Sequence, residues 1–378
     1  YLSSYLNVSA MSFGSLSKNA ILALNGGARA GGFAHNTGEG GISRYHREPG
    51  GELIWQIGTG YFGCRTADGR LDTGLFSEQS RLDQVKMIEI KISQGAKPGH
   101  GGILPAKKVT AEIAHARGIP IGEECASPPF HREFQTPIEL CEFIARLREL
   151  SGGKPVGFKL CVGRRREFFG VCKAMLETKI LPDFITVDGA EGGTGAAPIE
   201  FSDHIGVPVR EGIVFVHNAL EGIDVRDHVK IGASGKRVTA FEIAAAFALG
   251  ADFCNTARGF MFALGCIQAQ SCHTNACPVG VATQDAWLQR ALSPVDKSER
   301  VYHFHKNTVE ALAEVIAASG IDHPSELCHD HLYQRISPTE TRSFRELYDV
   351  LQPRQLLDGQ AGRLQPSWDA ASATSFRD

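Results

Sequence analysis

"VKIGASGKRVTAFEIAAAFALGADFCNTARG", residues 229–259, holds one full unit of the architecture we read for the whole chain. A short apolar run closes on Ser-Gly, a helical pattern follows and stops on glycine, and a second apolar run closes on Arg-Gly. Glycine just past a helix fits the left-handed cap that helices favour. Seven runs of the same kind join "VKIGASG" (229–235): "LNVSAMSFG" (6–14), "FAHNTG" (33–38), "MIEIKISQG" (87–95), "IPIGEE" (119–124), "PVGFKLC" (155–161), "DFITVDG" (183–189) and "DFCNTARG" (252–259). Helix-like stretches such as "SKNAILALNGGARAGG" and "PIELCEFIARLRELSGG" lie between them. Eight strand–helix units predict a closed α/β fold, a (β/α)8 TIM barrel, in preference to a doubly wound open sheet. The chemically distinctive residues fall at strand C-terminal ends, where such barrels build their sites. The expected barrel spans residues 1–290. The Gly- and Arg-rich insertion 39–80 is expected as a lid, and 291–378 as a C-terminal helical extension and tail.

Composition narrows the function. A formal net charge of -3 gives no basic excess for nucleic acid or an anionic membrane surface, so small-molecule chemistry is the expectation. The 42 glycines gather in "GEGG", "GHGG" and "GGTG", the pattern of backbone closing on a ligand. Ten cysteines without extracellular pairing point to a reducing compartment, and no run is long and apolar enough to cross a membrane. For the residues given the expectation is a cytoplasmic protein. The first residue is Tyr1, which leaves room for an upstream segment holding a targeting signal or an anchor.

Two groups of residues carry chemistry. In "LGCIQAQSCHTNACPVGVAT" (264–283), Cys266, Cys272 and Cys277 stand at C-x5-C-x4-C, inside an expected metal loop 264–280. Three thiolates suffice for a [3Fe-4S] cluster; zinc would need His273 as a fourth ligand, and three buried core cysteines are the bland alternative. Spacing alone leaves all three open. The later strand ends read as an FMN site. Lys159 would face the flavin edge that gains charge on reduction. Ser234 and Gly235, with Arg258 and Gly259, lie on the loops that commonly grip a phosphate. "GTGYFG" (58–63) satisfies a dinucleotide spacing, but the polar, turn-rich "CRTADGRLDTG" follows where a helix is required. Electrons would therefore come from a protein donor, ferredoxin or a separate reductase.

"MSFGSLS" (11–17), "NTGEGG" (36–41), "QGAKPGHGG" (94–102), "ASPPFH" (126–131), "GGTGAAP" (192–198) and the cysteine segment together resemble the central synthase domain of the glutamate synthase family. The resemblance implies an FMN barrel, an oxidoreductase of the CH-NH2 class, and a [3Fe-4S] cluster on Cys266, Cys272 and Cys277. It implies that Lys97 and Arg117 hold the carboxylates of 2-oxoglutarate, with Glu39 and Gln94 near flavin and substrate. Met11 and Ser12 would pack round the isoalloxazine, beside the glycine loop of Gly192, Gly193 and Gly195. His100 stands where the family carries an acid and Ile103 where it carries glutamine, which puts the substrate in doubt. The chain holds no glutaminase domain, so ammonia, an amine or a separate amidotransferase would supply nitrogen. An N-methylglutamate synthase-like subunit and an electron-transfer or assembly subunit are the alternatives. His131 and the "CHDH" of 328–331 are expected to be satisfied or exposed histidines, not ligands.

Overall fold

The computed structural model describes Tyr1 and residues 4–97, 101–198 and 200–377. Eight parallel strands close on themselves: Leu6–Val8, His35–Asn36, Leu53–Ile57, Val85–Lys91, Val156–Leu160, Phe184–Asp188, Lys230–Ser234 and Phe253–Thr256, called strands one to eight. Strand eight pairs back to strand one with Leu6 opposite Cys254, so the barrel sheet itself has no open edge.

Seven of the eight predicted runs contain a barrel strand. "IPIGEE" (119–124) does not: Pro120 withholds a ladder donor and Gly122 turns the chain at φ 72°. Its neighbour Cys125–Ala126 pairs antiparallel with Ile103–Leu104, apart from the barrel. The eighth barrel strand is "LIWQI", Leu53–Ile57, a wholly buried run inside the segment expected to be a lid. The strand absent at 119–124 and the one present at 53–57 offset one another, so Val156–Leu160 remains strand five. Residues 39–80 are therefore strand three and its flanks. The long excursion at the barrel mouth instead leaves strand four, running from residue 92 to the helix Pro137–Leu150.

Outer helices begin and stop where local chemistry dictates. Lys18–Gly31 starts under the Ser17 hydroxyl, which accepts from Ala20 N–H, and ends on Gly32 at φ 64°. The 25-residue helix Pro294–Ala318 starts at Ser293 with proline in its first turn. It lies against Lys18–Gly31, where a side chain on Gly27 would overlap Val301. Phe304 meets Phe260 edge-on at 5.1 Å. The ring of outer helices thus draws on residues past 290. The remaining tail, with a hairpin of Tyr333–Ser337 and Glu340–Ser343, ends with Trp368 edge-on to Phe169. No helix among the described residues is long and apolar enough to cross a membrane.

Candidate active site

Alternation along the strands sends every second side chain into the barrel. At the bottom, Ala34, Ile54, Met87, Phe184 and Phe253 form a small apolar cluster separate from the main core. Two residues further along, the interior turns polar. Glu89 is fully buried and accepts from Asn36 Nδ2 at 2.8 Å, Gln56 Nε2 at 2.7 Å and Thr186 Oγ1 at 2.7 Å. Two residues beyond that stand Lys91 and Asp188, at the ends of strands four and six. A hydrophobic floor, a hydrogen-bonded belt and a charged mouth follow one another up the barrel.

The mouth gathers the predicted substrate residues. Glu39 pairs with Lys91 at 2.6 Å and accepts from Ser127 Oγ at 3.4 Å. Burial pushes its carboxyl up, but Lys91, then Arg117 and Lys97, outweigh it and hold the pKa below the usual carboxylate range. Lys97 is buried with its ammonium 3.4 Å from the Gly101 carbonyl. Burial and then Lys91 push its pKa down, against Glu39. Arg117 ends the helix Ala111–Arg117, lies over the Phe62 ring at 5.1 Å and donates to Ser12 Oγ at 3.3 Å and Phe13 O at 3.4 Å. Among the described residues its buried Nε has no hydrogen-bond partner. One carboxylate thus faces three cations. Lys91, in "EIK", escaped the sequence reading; the Met87, Glu89, Lys91 alternation was the available signal. Met11 is half-buried on the core, and Gly38 at φ 65° lets the chain pass beside Ser12, whose N would lie 2.6 Å from a side chain there.

A second group lies where strands five to seven end. Lys159 is buried and paired with Asp188 at 3.0 Å. Burial pulls its pKa down, but Asp188, Glu89 and Glu39 more than offset this and leave it above its ordinary value. Asp188 Oδ2 also accepts from Gly95 N at 3.1 Å, while its buried Oδ1 has no hydrogen-bond partner among the described residues. Gln94 donates to the Gly193 carbonyl at 3.2 Å and Ala96 N to that of Gly192 at 2.7 Å, tying the strand-four loop to the glycine loop. Ser234 Oγ lies 3.3 Å from Ser9 Oγ, and Gly235, at φ 117°, sits against Gly189. The neighbouring Arg237 Nη1 and Asn255 Oδ1 are buried without hydrogen-bond partners among the described residues. Arg258 reaches Thr194 Oγ1 at 3.2 Å. Gly259 is taken up by packing, since a side chain there would overlap Phe304. Unpartnered buried polar atoms beside small-residue loops are a fit for a polar cofactor.

Beyond these loops comes the cysteine segment. Gly195 faces Cys272, whose sulfur would lie 3.7 Å from a side chain on that glycine. Burial, then Cys266 and Cys277, raise the Cys272 thiol, while Lys108 and Arg258 act in the other sense. All three sulfurs are free thiols. Among the described residues no three His, Cys, Asp or Glu converge as ligands of one metal ion. A single zinc needs its ligands to converge on one ion, which this donor set does not do; a cluster binds each thiolate to a different iron and makes no such demand.

The remaining motifs are accounted for locally. His131 is buried between Tyr61 OH at 3.0 Å and the Lys91 carbonyl at 2.9 Å, and burial pushes it down to about 4. Tyr61, from "GTGYFG", adopts φ 48° and its hydroxyl accepts from Arg132 N at 3.2 Å and Glu133 N at 3.3 Å. That turn anchors the 128–134 segment. Cys328 Sγ lies 3.3 Å from His331 Nδ1 in the tail. Ile103 is 49% exposed, and His100 lies outside the described residues.

The family profile described as "Conserved region in glutamate synthase" matches residues 1–322. The chain is 44% identical over 336 residues to the glutamate synthase large subunit-like protein YerD of Bacillus subtilis, covering 89% of this chain and 64% of that protein. It is 35% identical to the archaeal-type glutamate synthase [NADPH] of Thermotoga neapolitana, covering 83% and 59%. The corresponding figures for the archaeal glutamate synthase [NADPH] of Methanocaldococcus jannaschii are 34%, 82% and 58%. The chain thus spans about three fifths of the length of these relatives. Among solved structures, a flavocytochrome b2 variant with sulfite bound aligns at TM-score 0.52 with 13% identity, covering 94% of this chain and 73% of that one. A mandelate oxidase variant aligns at 0.50 with 13% identity, covering 85% and 75%. These likenesses speak for the barrel fold. By the profile match and the shared sequence, the chain belongs to the glutamate synthase family.

Proposed function

We propose that this chain is the flavin-binding synthase module of a glutamate synthase-like oxidoreductase, which reduces the imine of 2-oxoglutarate or a related 2-oxo acid to an amino acid. The observation that carries this reading is the excess of cations at the mouth: Lys91, Lys97 and Arg117 around Glu39. A dicarboxylate brings the negative charge that this arrangement lacks.

FMN would lie against Lys159, Gln94, the 192–195 loop and Ser234–Gly235, and when bound it supplies the hydride. The chain's own residues do the rest. Lys97 and Arg117 bind and orient the carboxylates. Glu39, kept ionised by its three cations, accepts hydrogen bonds from the incoming nitrogen and does not protonate it. Lys91, already donating to Glu39, is the proton-bearing group nearest that carboxylate. Lys159, fixed by Asp188, keeps a permanent positive charge beside the flavin position. Cys266, Cys272 and Cys277 would hold a [3Fe-4S] cluster, whose chemistry is one-electron transfer. Ferredoxin or a reductase would be the donor, and ammonia, an amine or an amidotransferase partner the nitrogen source.

The test is anaerobic. Purified protein should contain flavin, iron and acid-labile sulfide, and after reduction its flavin should reoxidise on mixing with 2-oxoglutarate and ammonia. Reoxidation with methylamine in place of ammonia would select the N-methylglutamate alternative. Reoxidation by no 2-oxo acid, with either nitrogen source, would overturn the synthase reading.

A further inference from the structure

The excursion that carries Lys97 and Arg117 also carries Lys108, on the single turn Ala106–Lys108. Its side chain leaves that turn for the interior and is 2% exposed. The ammonium donates to three backbone carbonyls, Cys272 at 2.7 Å, Ala282 at 3.1 Å and Ser15 at 3.2 Å. One carbonyl belongs to a cysteine of the triplet, one to the chain just past it, and one to the loop after strand one. All three N–H donors are used, so the hydrogen bonding is complete.

The charge is not complete. Carbonyl dipoles solvate an ammonium in part, and a buried cation without an anion is costly. Among the described residues no carboxylate forms an ion pair with Lys108. Burial pushes its pKa down, and the groups that act in the other sense are the sulfurs of Cys272 and Cys277. Neutral thiols would leave this cation uncompensated, whereas thiolates ligating iron are anions by necessity. The burial of Lys108 therefore makes sense when the triplet is loaded.

We propose that Lys108 is the buried counter-charge of the iron-sulfur centre, ties that centre to the substrate-binding excursion, and favours the reduced form. Reduction adds one electron, and so one negative charge, to the centre with no change in its ligands. A fixed cation in a low-dielectric setting lowers the energy of the more negative state more than that of the less negative one. The inference rests on the assignment of a cluster to Cys266, Cys272 and Cys277.

The experiment compares wild type, Lys108→Met and Lys108→Arg, purified without air. Iron and acid-labile sulfide are assayed, and the midpoint potential of the cluster is read by spin resonance during titration with dithionite and mediators. Lys108→Met should hold less cluster, and the cluster it holds should titrate at a lower potential. Lys108→Arg, which keeps the charge, should return both readings toward wild type. A Met variant with full loading and an unmoved potential overturns the proposal. So does an Arg variant that behaves like the Met variant, including failure of both to load, because the side chain's shape and not its charge would then matter. A wild-type protein without iron or sulfide removes the underlying cluster assignment as well, which separates the two failures.

Discussion

The barrel mouth and the cysteine segment are built on opposite plans. At the mouth, opposite charges already meet inside the protein: Glu39 with Lys91, and Asp188 with Lys159. The loops there press together so closely that a side chain on Gly95 would overlap the Gly189 carbonyl. In the cysteine segment the sulfurs are free thiols, Cys266 and Cys272 are half-buried, and the principal cation, Lys108, has carbonyls but, among the described residues, no carboxylate. The first region is charge-paired within the chain, and the second, among the described residues, is not. The difference teaches that preorganisation here is electrostatic at the barrel mouth and incomplete in the cysteine segment.

The sharpest way to break this comparison is Lys97→Ala. With a buried cation removed from the proposed carboxylate pocket, substrate-dependent flavin reoxidation should fall roughly 10²-fold or more, with flavin and cluster contents unchanged. Unaltered turnover would take Lys97 out of the site. Next in size, Gly95→Ala must displace the strand-four loop from the glycine loop, at a cost of about 3 kcal/mol read as a shift of the urea midpoint. A wild-type midpoint would mean that the mouth is looser than its contacts imply.

Smaller again is a pH effect at the base of the mouth. His131 is neutral in the fold, with its pKa near 4 against an ordinary 6.5, because burial disfavours the imidazolium. The unfolded chain takes up this proton below about pH 6.5 and the folded chain does not, so the stabilisation is present above that pH. It is lost progressively toward pH 4. His46, His217 and His305 are depressed in the same sense, so stability should fall across this window. His131→Gln should reduce the slope of stability against pH by one proton. An unchanged slope would show that His131 is not held neutral. Smallest of all, Gly195→Ala meets Cys272 at ordinary contact distance, 3.7 Å, and should change stability by no more than about 0.5 kcal/mol. A larger loss would make the junction of the two regions as tight as the mouth.

Several parts of this arrangement were legible residue by residue. Lys159, Ser234 and Gly235 lie at the ends of short buried strands whose turns are marked by glycine, so their place at the mouth follows from strand period and turn chemistry. Arg117 was ambiguous, because an arginine before a helix-ending glycine is also a favourable helix terminus. Leu53–Ile57 was read past because the glycine-rich stretches around it hide the strand-to-helix rhythm, and no long helix follows it. Lys91 was missed because one charged residue at the end of an apolar run looks like a solvated terminus until the barrel closes round it.

By itself the sequence determined the parallel α/β rhythm, the positions of most strand ends and the spacing of three cysteines, since each depends on neighbours a few residues apart. Only the tertiary structure decided that Lys91 meets Glu39, that His131 turns to Tyr61 and Lys91, and that Lys108 ends beneath the cysteine segment. These pairs lie from 40 to 164 residues apart. Whether a lysine is a solvated cation or a buried counter-charge depends on which distant backbone closes over it, and no local pattern carries that information.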